Sequence, residues 1–211
     1  MTLSKDDLKR FAELPTGNIC DANGKTGNMD PAIKPIDPKS KLVGPAYTVR
    51  CQPRDNLSIH KAMLDAPKGS VLVVDLGGYC GAGHFGEIMT LGCQVKGIAG
   101  LVIDGSIRDA EDIEEMGFPV FCRAFNPGGT VKETVGPTNI PIQCGGVLVK
   151  PGDIIIGDRD GVVVVPEENA DEVLKRAEAI KAKEIKVKEM LRQGKSTAEI
   201  YGFEKILRPH K

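Results

Sequence analysis

The stretch LVIDGSIRDAED, residues 101–112, runs from an apolar segment into Asp104 and Gly105 and then sets Arg108 beside Asp109. A guanidinium stays charged at physiological pH, and its planar fork grips a carboxylate through two hydrogen bonds. A carboxylate is a hard oxygen ligand for Mg²⁺ or Mn²⁺. Neighbours on one loop are poorly placed to pair with each other, and exposed ion pairs contribute little. The two groups gain most by facing a third party in a cleft. Together they could hold a small carboxylate with a metal ion beside it.

A second loop completes that chemistry. GGYCGAGHFGE, residues 77–87, follows the apolar run SVLVVDL and opens into a helix near Gly86. The first amides of a helix lack internal partners and sit at the positive end of its dipole, so they attract anions. GAGHFG also matches G-x-G-x-x-G, with Asp104 following 18 residues on, which makes a dinucleotide site an alternative. That pattern requires its first glycine in the turn leaving the strand, and here DLGGYC intervenes. The bland reading is a glycine-rich turn and an exposed charged pair at a helix start.

Other reactive side chains offer less. His84 lies in the glycine loop, where it would relay a proton, touch a substrate's distal part, or simply stand partly exposed. His60, on an expected helix, reads as structural or solvent-facing, and His210 lies in the tail. GDRDG (157–161) lacks most positions of a calcium loop and reads as a hairpin turn with Gly161 at positive φ. Cys80 and Cys144 stand beside glycines without a histidine pattern to activate them. Lys96 and Lys150, at element ends, look too solvated for Schiff-base chemistry.

The elements that must position these groups alternate along the chain. Ser4 and Asp7 resemble a capping box for a helix through about Leu14, and residues 15–45 read as turns and irregular pieces. Strands are expected at 46–51, 70–76, 100–104 and 119–123, with helices at 56–65, 86–97 and 110–116 between them. Such apolar strands imply parallel, right-handed crossovers and put both loops on the carboxyl edge, where ligands sit. The helix at 86–97 should bury Ile88 and Met89 on one side. Strands at 147–149, 153–157 and 161–166, separated by PGD and DRDG, suit antiparallel hairpins. A charged helix at 169–192 carries Val173, Ala177, Ile180, Val187 and Leu191 along one stripe. The fold class is therefore α/β with a mixed, partly parallel sheet, flanking helices and a C-terminal helical arm. Residues 1–168 form the α/β domain, and 169–211 form the arm, packing on it or on a neighbouring subunit.

Whole-chain properties narrow the field. A net charge of −1 over 211 residues argues against a nucleic-acid partner. No apolar run approaches a membrane span, and MTLSKDDLKRF lacks a signal peptide's apolar stretch. Six scattered cysteines without CxxC spacing read as buried, reduced thiols, and the expected location is cytoplasmic.

Several motifs occur together and in order: VGPAYTV (43–49), GEIM (86–89), GIAGLVIDGSIRD (97–109), FPVF (118–121) and CGGVLVKPGDIIIGDRDGVVVVP (144–166). On these the chain resembles the 4-hydroxy-4-methyl-2-oxoglutarate aldolase family, which also holds the regulator of ribonuclease activity A. Its members were formerly labelled dimethylmenaquinone methyltransferase-like. The resemblance implies a swivelling β/β/α-like three-layer domain in a homotrimer or hexamer. It implies a class II lyase that cleaves 4-hydroxy-2-oxo acids of the 4-hydroxy-4-methyl-2-oxoglutarate or 4-carboxy-4-hydroxy-2-oxoadipate type, releases pyruvate and decarboxylates oxaloacetate. By the same resemblance the backbone at Gly86, Glu87, Ile88 and Met89 holds the pyruvyl carboxylate. Arg108 binds substrate and Asp109 holds Mg²⁺ or Mn²⁺. Glu87 orients the water that removes the 4-hydroxyl proton, and it stands where the family pattern expects aspartate. Glu184 on the arm is a candidate to reach a neighbouring site. The alternative within the family is a non-catalytic protein-binding regulator like the inhibitor of ribonuclease E.

Overall fold

Strand β1 (Lys34–Pro35) is the short edge of a mixed sheet made with β2 (Leu42–Arg50), β3 (Val71–Tyr79), β4 (Gly100–Ile107) and β5 (Val120–Cys122). The computed structural model describes residues 3–208. Beyond β5 follow β6 (Ala124–Phe125), β7 (Ile142–Cys144), β8 (Val147–Val149), β9 (Ile154–Asp158) and β10 (Gly161–Val165). The main sheet has the order β1-β5-β4-β3-β2-β9-β10, with β6 continuing beside β4. Strands β2 through β5 run parallel, as the alternating pattern implies. The helices are α1 (Lys5–Ala12), α2 (Thr16–Ala22), α3 (Leu57–Asp65), α4 (Glu87–Lys96), α5 (Ala110–Glu115), α6 (Ala170–Arg192), α7 (Thr197–Tyr201) and α8 (Glu204–Leu207).

Three apolar layers follow from the two-residue period of the strands. Leu72 and Val74 of β3 point to one face, where they meet Ile59 of α3, Cys93 of α4 and Ile113 of α5. Val71 and Val73 point to the other, packing with Phe121, Ile155, Val162 and the β7–β8 hairpin. The outer face of β9 and β10, through Ile154, Ile156, Val163 and Val165, is covered by α1, α2 and α6. Here Val173, Leu174 and Ala177 of α6 seal Phe11, Leu14 and Ile19, and Arg10 pairs with Glu178 at 2.7 Å.

Several boundaries differ from expectation, each for a tertiary reason. β2 begins at Leu42 rather than Ala46 because Leu42–Pro45 pair antiparallel with β9 before Ala46–Arg50 pair parallel with β3. Helix α2 forms within the stretch read as irregular. Asp158 accepts from the Thr16 amide and hydroxyl at 3.0 and 2.7 Å, and Ile19 is buried beneath α6. Val147–Val149 pairs with β7, across Gly145 and Gly146 at φ 55° and 77°, and not across the PGD turn. Two consecutive positive φ values define a tight turn that glycine adopts without steric cost. The DRDG segment is the β9–β10 turn, with Gly161 at φ 139°. On α4, Met89 and Cys93 are buried, whereas Ile88 is 74% exposed, contrary to its expected side. Leu191 of α6 is likewise exposed.

Candidate active site

Because β3 and β4 are parallel neighbours, the loops after them leave one sheet edge together. They are tied along their length. Arg108 N–H donates to Phe85 O at 2.9 Å, His84 N–H to Ser106 O at 3.0 Å, and Ser106 Oγ to Ala82 O at 2.7 Å. A β-carbon on Gly83 would collide with Arg108 Cβ and Asn126 O, and one on Gly86 with Asp109 Oδ2. The glycines of this loop therefore admit a second loop. That also removes the dinucleotide reading, since the close-approach face is already filled by Arg108 and Asp109.

Asp109 takes a left-handed conformation, φ 55° and ψ 42°, at the head of α5. Its carboxylate turns back over the first turn of α4, and Oδ2 accepts the Glu87 N–H at 3.1 Å. Arg108 Nε lies 3.3 Å from the same oxygen. The guanidinium and carboxylate thus touch, where the sequence suggested that both would face a ligand. The contact uses one atom of each. Among the described residues no hydrogen bond engages the terminal guanidinium nitrogens or Asp109 Oδ1, and the side chains are 48% and 33% exposed.

Arg108 lines a cavity of about 240 Å³ together with Gly86, Ile88 and Met89. The Ile88 and Met89 amides, in the first turn of α4, meet no protein acceptor among the described residues. The Glu87 amide is committed to Asp109, and its side chain is exposed. Neither Glu87 nor Asp109 lines this cavity; Asp109 borders a second depression of about 290 Å³ with Phe125 and Asn126, and Arg108 borders both.

The far wall of the first cavity is formed by Asn56 and His60 of the α3 turn and by Thr130 and Lys132 of the segment 126–139. Sequence reasoning missed Asn56 and Lys132 and took His60 for a structural or solvent-facing residue. His60 lines the cavity with Nε2 buried and without a partner among the described residues, and burial, helped by Lys132, lowers its pKa below the ordinary histidine value. His84 is fully buried, not partly exposed, and burial lowers its pKa as well. Lys96 donates to Leu64 O, and Lys150 pairs with Glu168 at 3.3 Å, both outside the cavity. Cys144 is wholly buried, with its thiol pushed far up by desolvation, and Cys80 contacts Gly78 O. Glu184 lies on α6, and His210 is outside the described residues.

Among the described residues no three His, Cys, Asp or Glu side chains cluster to hold a metal ion. That argues against a closed site of nitrogen and sulfur ligands. One carboxylate oxygen, with water and ligand oxygens completing the shell, is coordination that Mg²⁺ accepts. Asp109 Oδ1, which carries no hydrogen bond among the described residues, is the oxygen that would take that place.

Comparisons with known proteins bear on what such a site belongs to. A family model described as RraA-like, Aldolase/RraA, matches residues 16–164. A protein of Halalkalibacterium halodurans named "Putative 4-hydroxy-4-methyl-2-oxoglutarate aldolase" is 40% identical over 172 residues, 82% of each chain. An uncharacterized protein from Pseudomonas syringae has a solved structure with a TM-score of 0.85 and 30% identity, covering 93% of this chain and 92% of that one. Streptomyces coelicolor RraAS2, described as an unusual member of the RNase ES inhibitor RraA family, aligns with a TM-score of 0.80 and 27% identity over 89% and 98% of the two chains. With the sheet order, the paired loops and these likenesses in agreement, the chain belongs to the RraA-like aldolase/RraA family.

Proposed function

We propose that the protein is a divalent-metal-dependent lyase that cleaves 4-hydroxy-2-oxo acids to pyruvate and decarboxylates oxaloacetate. The observation that carries the reading is that Ile88 and Met89, whose helix amides find no acceptor among the described residues, line one cavity with Arg108, whose terminal nitrogens are likewise unbonded among those residues. Relatives bearing the aldolase name support it. The pyruvyl carboxylate is held by the Ile88 and Met89 amides, with Arg108 beside the 2-oxo group, where negative charge develops. Asp109 Oδ1 would hold a hard cation, Mg²⁺ or Mn²⁺, and such an ion would supply Lewis acidity to the reaction. Glu87 orients the water that takes the 4-hydroxyl proton. The C3–C4 bond then breaks, C4 becomes a carbonyl, and the electron pair passes to the pyruvate enolate. Protonation at C3 gives pyruvate. Lys132, exposed on the far wall, is placed to meet a distal carboxylate.

The protein acts as a homotrimer or hexamer in the cytoplasm. Supporting the assembly, Leu64 of α3 and Ile88, Leu91 and Val95 of α4 form an exposed apolar stripe beside the cavity. The same stripe favours the second reading, a protein-binding regulator. Pyruvate release from oxaloacetate, with and without Mg²⁺, separates the two. Metal-dependent release that Arg108→Ala or Asp109→Ala lowers at least about a hundredfold, with folding intact, is expected. Full activity in both variants under saturating Mg²⁺ overturns the assignment.

A further inference from the structure

We infer that His84 is a positioning residue whose imidazole joins the glycine loop to the turn carrying the far wall of the cavity. Its kinetic consequence rests on the lyase reading; its structural consequence does not. His84 Nε2 accepts the Arg54 N–H at 3.0 Å, and its carbonyl accepts from Asn56 Nδ2 at 3.0 Å. A ring nitrogen that accepts carries no proton, so the neutral ring is protonated at Nδ1. Nδ1 is buried and meets no protein partner among the described residues. Tyr79 meets the ring edge-on, with centroids 5.8 Å apart at 81°, which holds its plane.

The turn that the ring grips is unusual. Arg54 has φ 65°, a left-handed value seldom taken by a long side chain, so its N–H must be held in that direction. From this turn the structure spreads to the segment 126–139. Val131 N–H donates to Arg54 O at 2.8 Å, Asn56 N–H to Val131 O at 3.2 Å, and the Asp55 carboxylate accepts from Glu133 and Thr134 amides at 2.9 and 2.7 Å. These bonds bring Thr130 and Lys132 to the cavity. On its other side His84 N–H binds Ser106 O, two residues before Arg108. The His84 backbone is thus bonded to Asn56 and Ser106. The ring adds the bond to Arg54 N–H that ties this turn to the glycine loop and so tunes the spacing between the groups proposed for the two ends of a substrate.

Alanine at 84 leaves the Arg54 amide without its acceptor, whereas glutamine restores an oxygen near the place of Nε2. With a 4-hydroxy-2-oxo diacid as the probe, His84→Ala is expected to raise KM about tenfold, with a smaller fall in kcat. His84→Gln should recover most of that loss. In ¹⁵N-labelled wild-type protein the His84 ring should show a protonated Nδ1 and a bare Nε2. Equal behaviour of the two variants, a loss confined to kcat, or a protonated Nε2 overturns the inference. If wild-type protein releases no pyruvate, the lyase reading falls. Faster hydrogen exchange at Arg54 and Val131 in the alanine variant then still upholds the positioning role, and unchanged exchange rejects it. Should the alanine variant fail to fold, glutamine must keep the Arg54 amide protected, and loss of that protection rejects the role.

Discussion

Gly86 shows how much depends on a single missing β-carbon. Asp109 Oδ2 occupies the space that a side chain at 86 would need, and from there it caps the first amide of α4. Gly86→Ala should displace the carboxylate, destabilise the protein by about 1–2 kcal/mol through the lost cap, and lower pyruvate release at least tenfold. Gly129→Ala, where a β-carbon meets open space, is the control and should leave stability unchanged in urea titrations. Arg108 stood out as a fixed cation ending an apolar run, and it does line the cavity, whereas Asp109, expected to face a ligand beside it, meets the guanidinium through one oxygen and lies outside that cavity. Asn56 and Lys132 were not legible, since each lies in an ordinary polar stretch and only the folded chain brings it to the cavity. His84 was misjudged because glycine neighbours suggest exposure, and nothing local shows that Tyr79 and Arg54 enclose it.

At the scale of elements, the sheet is joined across its carboxyl end by an ion triad. Arg123, just after β5, reaches Asp104 of β4 and, at 2.9 Å, Asp30; the other oxygen of Asp104 accepts from Gly145 N at 2.9 Å, where the β7–β8 hairpin turns. The Asp104 side chain is only 7% exposed. Arg123→Ala would strand that buried carboxylate, and a loss of roughly 3–5 kcal/mol in urea unfolding is expected. Conservative removal of the pair, Arg123→Met with Asp104→Asn, should cost less than the single change. The parallel strands and their helices could be read from the sequence because burial on both faces leaves continuous apolar runs. The antiparallel start of β2 could not, since Gly44 and Pro45 look like breakers until β9 is beside them. Helix α2 was hidden for a related reason: its cap comes from Asp158, far along the chain.

For the molecule as a whole, acid sensitivity should begin with its histidines. Burial lowers the pKa of both His60 and His84, so the folded state favours their neutral forms while the unfolded chain takes up protons near the ordinary value. Their stabilisation is complete above about pH 6.5 and declines as pH falls below it, toward their lowered folded values. The melting temperature should drop between pH 7.5 and 5.5, and His84→Gln should flatten the slope. Thiol reactivity offers a second check. Desolvation pushes Cys51 to about 11 and Cys93 and Cys122 to about 12, so iodoacetamide should label half-buried Cys20 and Cys80 while sparing the others until unfolding. The seal of α6 over α1 and α2 has a consequence for synthesis. Helices α1 and α2 precede α6 by most of the α/β domain, so during synthesis their apolar faces lack this cover until α6 emerges, and over that interval the nascent chain most needs a chaperone.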